Sequence, residues 1–268
     1  FKLMDRKPSI NDAEKPIDLI ECRGKIEFKN VWFAYTKDNY VLKDISFDIQ
    51  QGEKVAFVGA TGAGKSSIMS LLCRFYDVQQ GEILVDGVNI KDIRQTALRK
   101  NIGLVVQDIF LFSDSISNNI SLNNEKICRE KIIDSAKAIG IDGFIERLPL
   151  GYEQNVKERG VTLSQGQRQL ITFARALAYD PKILILDEAT SSVDTLSEIL
   201  IQKAIEKLME GRTSIIVAHR LSTIQKCDKI IVMHKGEIRE TGTHQELLEF
   251  GGIYSKLYQL QYKESLAS

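Results

Sequence analysis

The chain has 268 residues, 43% of them hydrophobic and 27% charged, and its 36 Lys and Arg balance its 36 Asp and Glu. That length suits one compact domain, or one domain with a lobe and tails, and the composition excludes intrinsic disorder and fibrous repeats. A net charge of zero supplies no field to gather nucleic acid or an anionic membrane surface, so no nucleic-acid partner is expected.

Residues 1–24 are polar, carry Pro8 and Pro16 and show no sustained period, which reads as a linker leading into the fold. There is no initiator Met at position 1 and no signal-peptide pattern, so the chain is expected to be a domain cut from something longer. Regular structure is expected from Lys25 onward, in a domain covering 25–268. Ile26 to Val31 alternates apolar with polar, and Val41 to Ile49 contains a second alternating stretch, which predicts an antiparallel, half-exposed sheet. Val55 to Val58 is apolar throughout, then meets glycines and a helix-forming run from Lys65 to Phe75, as a buried parallel strand feeding a helix does.

Further apolar strand candidates lie at Ile102 to Val106, Ile183 to Leu186, Ser214 to Val217 and Ile230 to Met233, mostly separated by helical patterns. That alternation predicts a largely parallel sheet covered on both faces. Between Ser115 and Tyr179 strand signals fade and helix-compatible stretches dominate, so a helical lobe is expected there, over about residues 115–179. Thr243 is placed to cap a short helix with Glu246 at its third position, and a last amphipathic helix is expected over Ile253 to Tyr262. Cys22, Cys73, Cys128 and Cys227 lie far apart, with none of the close pairs of a zinc or redox motif, and fit thiols in a reducing compartment. The apolar run at Lys182 to Leu186 is far short of the roughly 20 residues that span a bilayer, so the chain is expected to cross no membrane.

Two motifs carry chemistry. Gly59-Ala60-Thr61-Gly62-Ala63-Gly64-Lys65-Ser66 fits G-x-x-x-x-G-K-[ST] between a buried strand and a helix. Glycines let the backbone wrap with several N–H groups inward, and the following helix adds its positive end, which makes a nest for triphosphate oxygens. Lys65 supplies a cation and Ser66 a hydroxyl for Mg²⁺. A plain glycine-rich turn has no need of Lys and Ser after its last glycine. The second motif is Lys182 to Glu188, an apolar strand that ends in two adjacent carboxylates, where unpaired charge is costly. Asp187 can hold Mg²⁺ through water, and Glu188 can polarise an attacking water as general base; an exposed loop start is the plain alternative.

Leu163-Ser164-Gln165-Gly166-Gln167-Arg168-Gln169 precedes the carboxylate pair on a helical segment. With these three motifs the chain resembles the nucleotide-binding domain of ATP-binding-cassette (ABC) transporters, from Lys25 nearly to the end. The resemblance implies an α/β fold: a P-loop NTPase core with a mostly parallel sheet, an N-terminal antiparallel β subdomain and an inserted helical subdomain. It implies ATP and Mg²⁺ as ligands, the nucleotide bound by Tyr35, Gly59 to Ser66 and Ser67, and the metal by Ser66, Gln107 and Asp187. Ser164, Gln165, Gly166 and Gln167 stand where the family places the signature that reaches ATP on the other domain of a head-to-tail homo- or heterodimer. Gln165 departs from the usual glycine. By the same resemblance Tyr35 stacks on adenine, Gln107 senses Mg²⁺ and the attacking water, His219 contacts the γ-phosphate, and Asp194 communicates across the dimer. A core tyrosine, a loop glutamine and a structural histidine are the plain alternatives for the first three. Ser192 and Val193 replace the commoner Ala and Leu beside Asp194.

Two stretches resemble the exporter branch: Glu158-Arg159-Gly160, like a short cross-linking loop, for which a charged, solvated turn is the plain alternative, and Asp108 to Ser113, like the surface that receives loops of a membrane domain. The expected function is therefore an ATPase that powers export, joined through residues 1–24 to a transmembrane domain of the same polypeptide, on the cytoplasmic face of a bacterial plasma membrane. A soluble cassette ATPase acting on DNA or ribosomes would carry an inserted coiled coil or a tandem cassette, and neither is present in this sequence. A separate importer subunit is disfavoured by the N-terminal linker.

Overall fold

The computed structural model describes residues 10–19, 21–37, 39–157, 160–187, 195–217 and 221–267. Contacts divide them into two units: one holds residues up to Gln51, Phe57–Ile102 and those from Lys229 on, and the other holds Gly52–Ala56 and Gly103–Asp228.

In the first unit, β1 (Ile26–Ala34) and β2 (Tyr40–Ile49) pair antiparallel with Ile26 opposite Ile49 and Phe28 opposite Phe47. Alternation buries Ile26 and Phe28 on one face, where Phe28 stacks on Phe47 at 4.5 Å between ring centroids. The alternation breaks at Asn30, whose φ of 47° accompanies a register shift. On the other side β1 pairs antiparallel with β4 (Gln80–Val85), which turns through Asp86-Gly87 into β5 (Val88–Asn89) and closes the sheet β2-β1-β4-β5. The antiparallel subdomain is as expected, but β4 and β5 were not among the strand candidates. β4 opens on Gln80-Gly81-Glu82, which hides its pattern. A Cβ on Gly81 would lie 2.3 Å from the Lys29 and Asn30 carbonyl oxygens, so this strand passes too close to β1 for a side chain there.

The same unit contains the order β10-β9-β3. β3 (Lys54–Val58) is buried from Val55 to Val58, and β9 (Lys229–His234) is antiparallel to β10 (Glu237–Gly242) through the turn at Lys235 and Gly236. This antiparallel pair makes the sheet mixed rather than uniformly parallel. α1 (Lys65–Leu72) ends earlier than its helical pattern suggested: Arg74 takes a φ of 49°, and the Arg99 guanidinium donates to the Cys73 and Arg74 carbonyls at 3.1 and 2.9 Å. α9 (His244–Phe250) begins as read, with the full Thr243/Glu246 capping box, and α10 (Ile253–Ala267) follows.

The segment before β1 is fastened to this unit. Ile17 bridges to Ile93, the Asp12 carboxylate accepts the Gln95 N–H at the start of α2 (Gln95–Lys100), and buried Arg74 donates to the Asn11 carbonyl at 2.9 Å.

In the second unit the order is β3-β8-β7-β6, with β6 (Ile102–Val105), β7 (Ile183–Asp187) and β8 (Thr213–Val217). β7 and β8 run parallel in the register Ile183 to Thr213 through Asp187 to Val217, and Ile183 to Leu186 are buried. Between β6 and β7 lie α3 (Ile116–Ser121), α4 (Arg129–Ile139), α5 (Asp142–Ile145) and α6 (Gln165–Tyr179), the helical stretch expected. α7 (Thr195–Met209) and α8 (Leu221–Ile224) complete the unit.

Candidate nucleotide-binding site

The loop from Gly59 to Gly64 joins the end of β3 to the start of α1. Gly59 has a φ of 155°, and a Cβ there would lie 2.2 Å from the Met233 carbonyl oxygen on β9, so only glycine fits this turn. The Ala63 carbonyl accepts the Gly236 N–H at 3.2 Å, which ties the loop to the β9–β10 turn. Gly64 caps α1 in left-handed conformation. Lys65 is 7% exposed, and its ammonium donates to the Gly59 carbonyl at 2.6 Å and the Ala60 carbonyl at 3.1 Å. The cation is thus held over the mouth of the loop, while Ala60, Thr61, Gly62 and Ser66 are exposed around it. A buried lysine, the positive end of α1 and the exposed Ser66 hydroxyl form a donor set that fits phosphate oxygens and a hard cation.

Tyr35 follows β1 directly and stands over the same helix. Its phenol oxygen is 3.1 Å from Ser67 Oγ, and the residue is 49% exposed, so it is not a core tyrosine. The structure therefore brings together Tyr35, the loop Gly59 to Ser66, and Ser67.

In the second unit Asp187 is the last residue of β7, opposite Val217 at the end of β8. A Cβ on Gly103 at the start of β6 would meet Pro181 just before β7, so β6 and β7 run the same way. Gln107 lies exposed two residues past β6. Glu188, Asp194 and His219 lie outside the described residues, as do Glu158 and Arg159. Ser164 is the N-cap of α6 in a full capping box: its Oγ accepts the Gln167 N–H at 3.2 Å, and Gln167 Oε1 accepts the Ser164 N–H at 2.9 Å. Gln165 is the first residue of that helix, in backbone where no glycine is required. Gly166 is buried in the same turn.

The stretch Asp108 to Ser113 presents two phenylalanines. Phe110 and Phe112 are each 52% exposed, edge to face at 5.0 Å, while Leu111 between them is fully buried. Asn119 and Arg175 hold them out, and sequence reasoning missed both. The buried Asn119 amide bonds both backbone groups of Phe112, and the Arg175 guanidinium donates to the Asn119 carbonyl at 2.7 Å and reaches the Phe110 carbonyl at 3.4 Å. A signal for Asn119 was present, since it interrupts the apolar stripe of Ile116 and Ile120 at helical spacing, and a buried amide must find partners.

A family model described as ABC transporter matches residues 42–191, more than half of the chain. The chain belongs to the ABC transporter family. It is 48% identical, over its full length, to 40% of a probable multidrug resistance ABC transporter ATP-binding/permease protein of Bacillus subtilis (strain 168). It is 47% identical, over 98% of its length, to 44% of an ATP-dependent lipid A-core flippase of Syntrophus aciditrophicus (strain SB). A solved structure of a bacterial Atm1-family ABC exporter with ATP bound superposes with a TM-score of 0.91 at 41% identity, over 97% of this chain and 46% of that one. The chain spans less than half the length of the curated relatives it matches. It is an ABC ATPase domain, with the mixed, mostly parallel α/β fold of that group.

Proposed function

We propose that this ABC ATPase domain closes head to tail on a second such domain, identical or homologous, around two MgATP, and that closure drives export by a transmembrane domain of the same polypeptide. The observation that carries the export reading is the pair Phe110 and Phe112. A buried amide and a half-buried guanidinium hold these two apolar rings out of the core, beside Gln107, as a surface that receives another domain requires. The relatives, an ATP-binding/permease protein, a flippase and an exporter, support the same reading. In it residues 1–24 link to the membrane part, residues 25–268 are the ATPase domain with its helical subdomain over about 115–179, and the domain faces the cytoplasm at a bacterial plasma membrane.

Each residue then has a chemical task. Tyr35 stacks on adenine, the loop Gly59 to Ser66 and Ser67 wrap the triphosphate, and the Lys65 ammonium leaves its two carbonyls for phosphate oxygens. Ser164 and Gly166 offer a hydroxyl and a backbone N–H at the start of α6 to the γ-phosphate on the partner domain. Ser66, Gln107 and Asp187 are hard oxygen donors that suit Mg²⁺, which supplies neutralisation of phosphate charge when bound. Glu188 takes a proton from the attacking water as oxygen bonds to the γ-phosphorus and the bond to ADP breaks; His219 orients that water, and Asp194 reports to the other site.

The test is Glu188→Gln, which keeps shape and removes the base. ATP binding is expected to persist, phosphate release to fall ~10²-fold or more, and an ATP-bound dimer to accumulate on size-exclusion chromatography. Unchanged turnover rejects the assigned role. In the whole transporter, ATPase activity stimulated by a transported compound tests the export reading, and Phe110→Ser with Phe112→Ser is expected to abolish the stimulation.

A further inference from the structure

The segment that follows α1 is built as a support for Tyr35. After Leu72 the chain turns sharply at Arg74, where a buried guanidinium and the two carbonyls capped by Arg99 fix its course. The residues beyond that turn reach back to the end of β1. Gln79 grips Ala34, the residue before Tyr35, on both sides: its Oε1 accepts the Ala34 N–H at 2.8 Å and its Nε2 donates to the Ala34 carbonyl at 3.0 Å. Tyr76 meets the Tyr35 ring at 5.0 Å between centroids and 88° between planes, and Phe33, 1% exposed, meets it at 4.7 Å and 79°. Phe33 and Tyr76 also touch each other, at 5.6 Å. The Tyr35 oxygen is tethered to Ser67, two residues past Lys65. An exposed tyrosine at the mouth of a loop ordinarily samples several rotamers, and ordering it on binding costs affinity. Here two rings, one amide clamp and one hydroxyl settle its orientation beforehand, and about half of its surface is left open.

We propose that Tyr76 and Gln79 are positioning residues for base recognition: they hold Tyr35 so that its open face meets the adenine ring in register with phosphates on the loop at Lys65. The inference rests on reading Tyr35 as the adenine platform. Tyr76 acts only through Tyr35, so its loss is expected to weaken recognition of the base and leave recognition of the phosphate chain untouched.

Calorimetric titration of the full 268-residue chain with ATP and with inorganic tripolyphosphate, which has no base, separates these effects. Tyr35→Ala is expected to raise the ATP dissociation constant about 10-fold, in the range of base–aromatic stacking, with tripolyphosphate unchanged. Tyr76→Ala is expected to raise it about 3- to 10-fold, again for ATP only, and Gln79→Leu to act in the same direction. The double variant Tyr35→Ala with Tyr76→Ala is expected to match Tyr35→Ala alone, because both act on one contact. Tyr76→Phe, which keeps the ring, is expected to restore wild-type affinity. An equal loss for ATP and tripolyphosphate in Tyr76→Ala, additive effects in the double variant, or wild-type ATP affinity in Tyr76→Ala overturns the inference. If Tyr35→Ala itself leaves ATP affinity unchanged, the platform reading fails as well; if Tyr35→Ala weakens ATP and Tyr76→Ala does not, the positioning inference alone fails.

Discussion

Asn119 closes both backbone hydrogen-bonding groups of Phe112: its Oδ1 accepts the Phe112 N–H at 2.8 Å and its Nδ2 donates to the Phe112 carbonyl at 3.0 Å. The amide is fully buried, so it does for this loop what a neighbouring strand does for a sheet edge. Asn119→Ala takes the side-chain partner from both groups and leaves a gap where a fully buried amide stood, and is expected to lower stability by about 2–4 kcal/mol, read as a shift in the urea midpoint. Substrate-stimulated ATPase activity of the whole transporter is expected to fall further than basal activity, because the loop that presents Phe110 and Phe112 loses its brace.

The same loop carries an acid-sensitive contact. The Asp114 carboxylate accepts from the Asn118 side-chain amide at 2.9 Å and from the Ser115 N–H at 2.7 Å, and these bonds, the amide first, hold its pKa below the usual carboxylate value. A depressed folded-state pKa contributes stability above the unfolded pKa and loses it as pH falls through the folded one. Stability of the wild-type chain is therefore expected to drop below about pH 4, and Asp114→Asn is expected to flatten that part of a plot of urea midpoint against pH.

Two glycines of the phosphate loop are expected to respond differently to alanine. At Gly59 the added Cβ collides with the Met233 carbonyl oxygen at 2.2 Å, whereas at Gly62, with φ of 79°, no heavy atom of the described residues lies within 4 Å. Gly62→Ala meets only the left-handed backbone penalty of about 1 kcal/mol. Gly59→Ala is expected to cost more than about 3 kcal/mol, or to yield no folded chain. Thermal unfolding of the two variants decides it, and equal costs would mean that β9 yields at that point.

Gln165 occupies the first position of α6, where a side chain is compatible with the backbone and glycine is a poorer helix former. Gln165→Gly, which restores the usual family residue, is expected to lower stability by about 0.5–1 kcal/mol and to change ATP turnover less than twofold. A large gain in phosphate release would show that the Gln165 side chain obstructs the partner site.

What this sequence determined by itself is what neighbouring residues decide among themselves. The phosphate loop follows from glycines and a lysine between a buried strand and a helix, β3, β7 and β8 from short apolar runs, and the cap at Thr243 from bonds spanning three residues. Such features rest on backbone conformation and local hydrogen bonding, so they are legible at close range. The tertiary structure alone decided which distant residues serve those motifs. β4 became a strand because β1 lies alongside it, and Gly81 concealed it because that approach excludes a side chain. Arg74 fastened a segment that reads as a linker. Tyr76 and Gln79 came to brace Tyr35, and Arg175 to brace Phe110, through contacts between residues whose spacing in the chain has no period. A buried amide or guanidinium must find partners, but sequence does not say which ones; packing makes that choice when the elements meet.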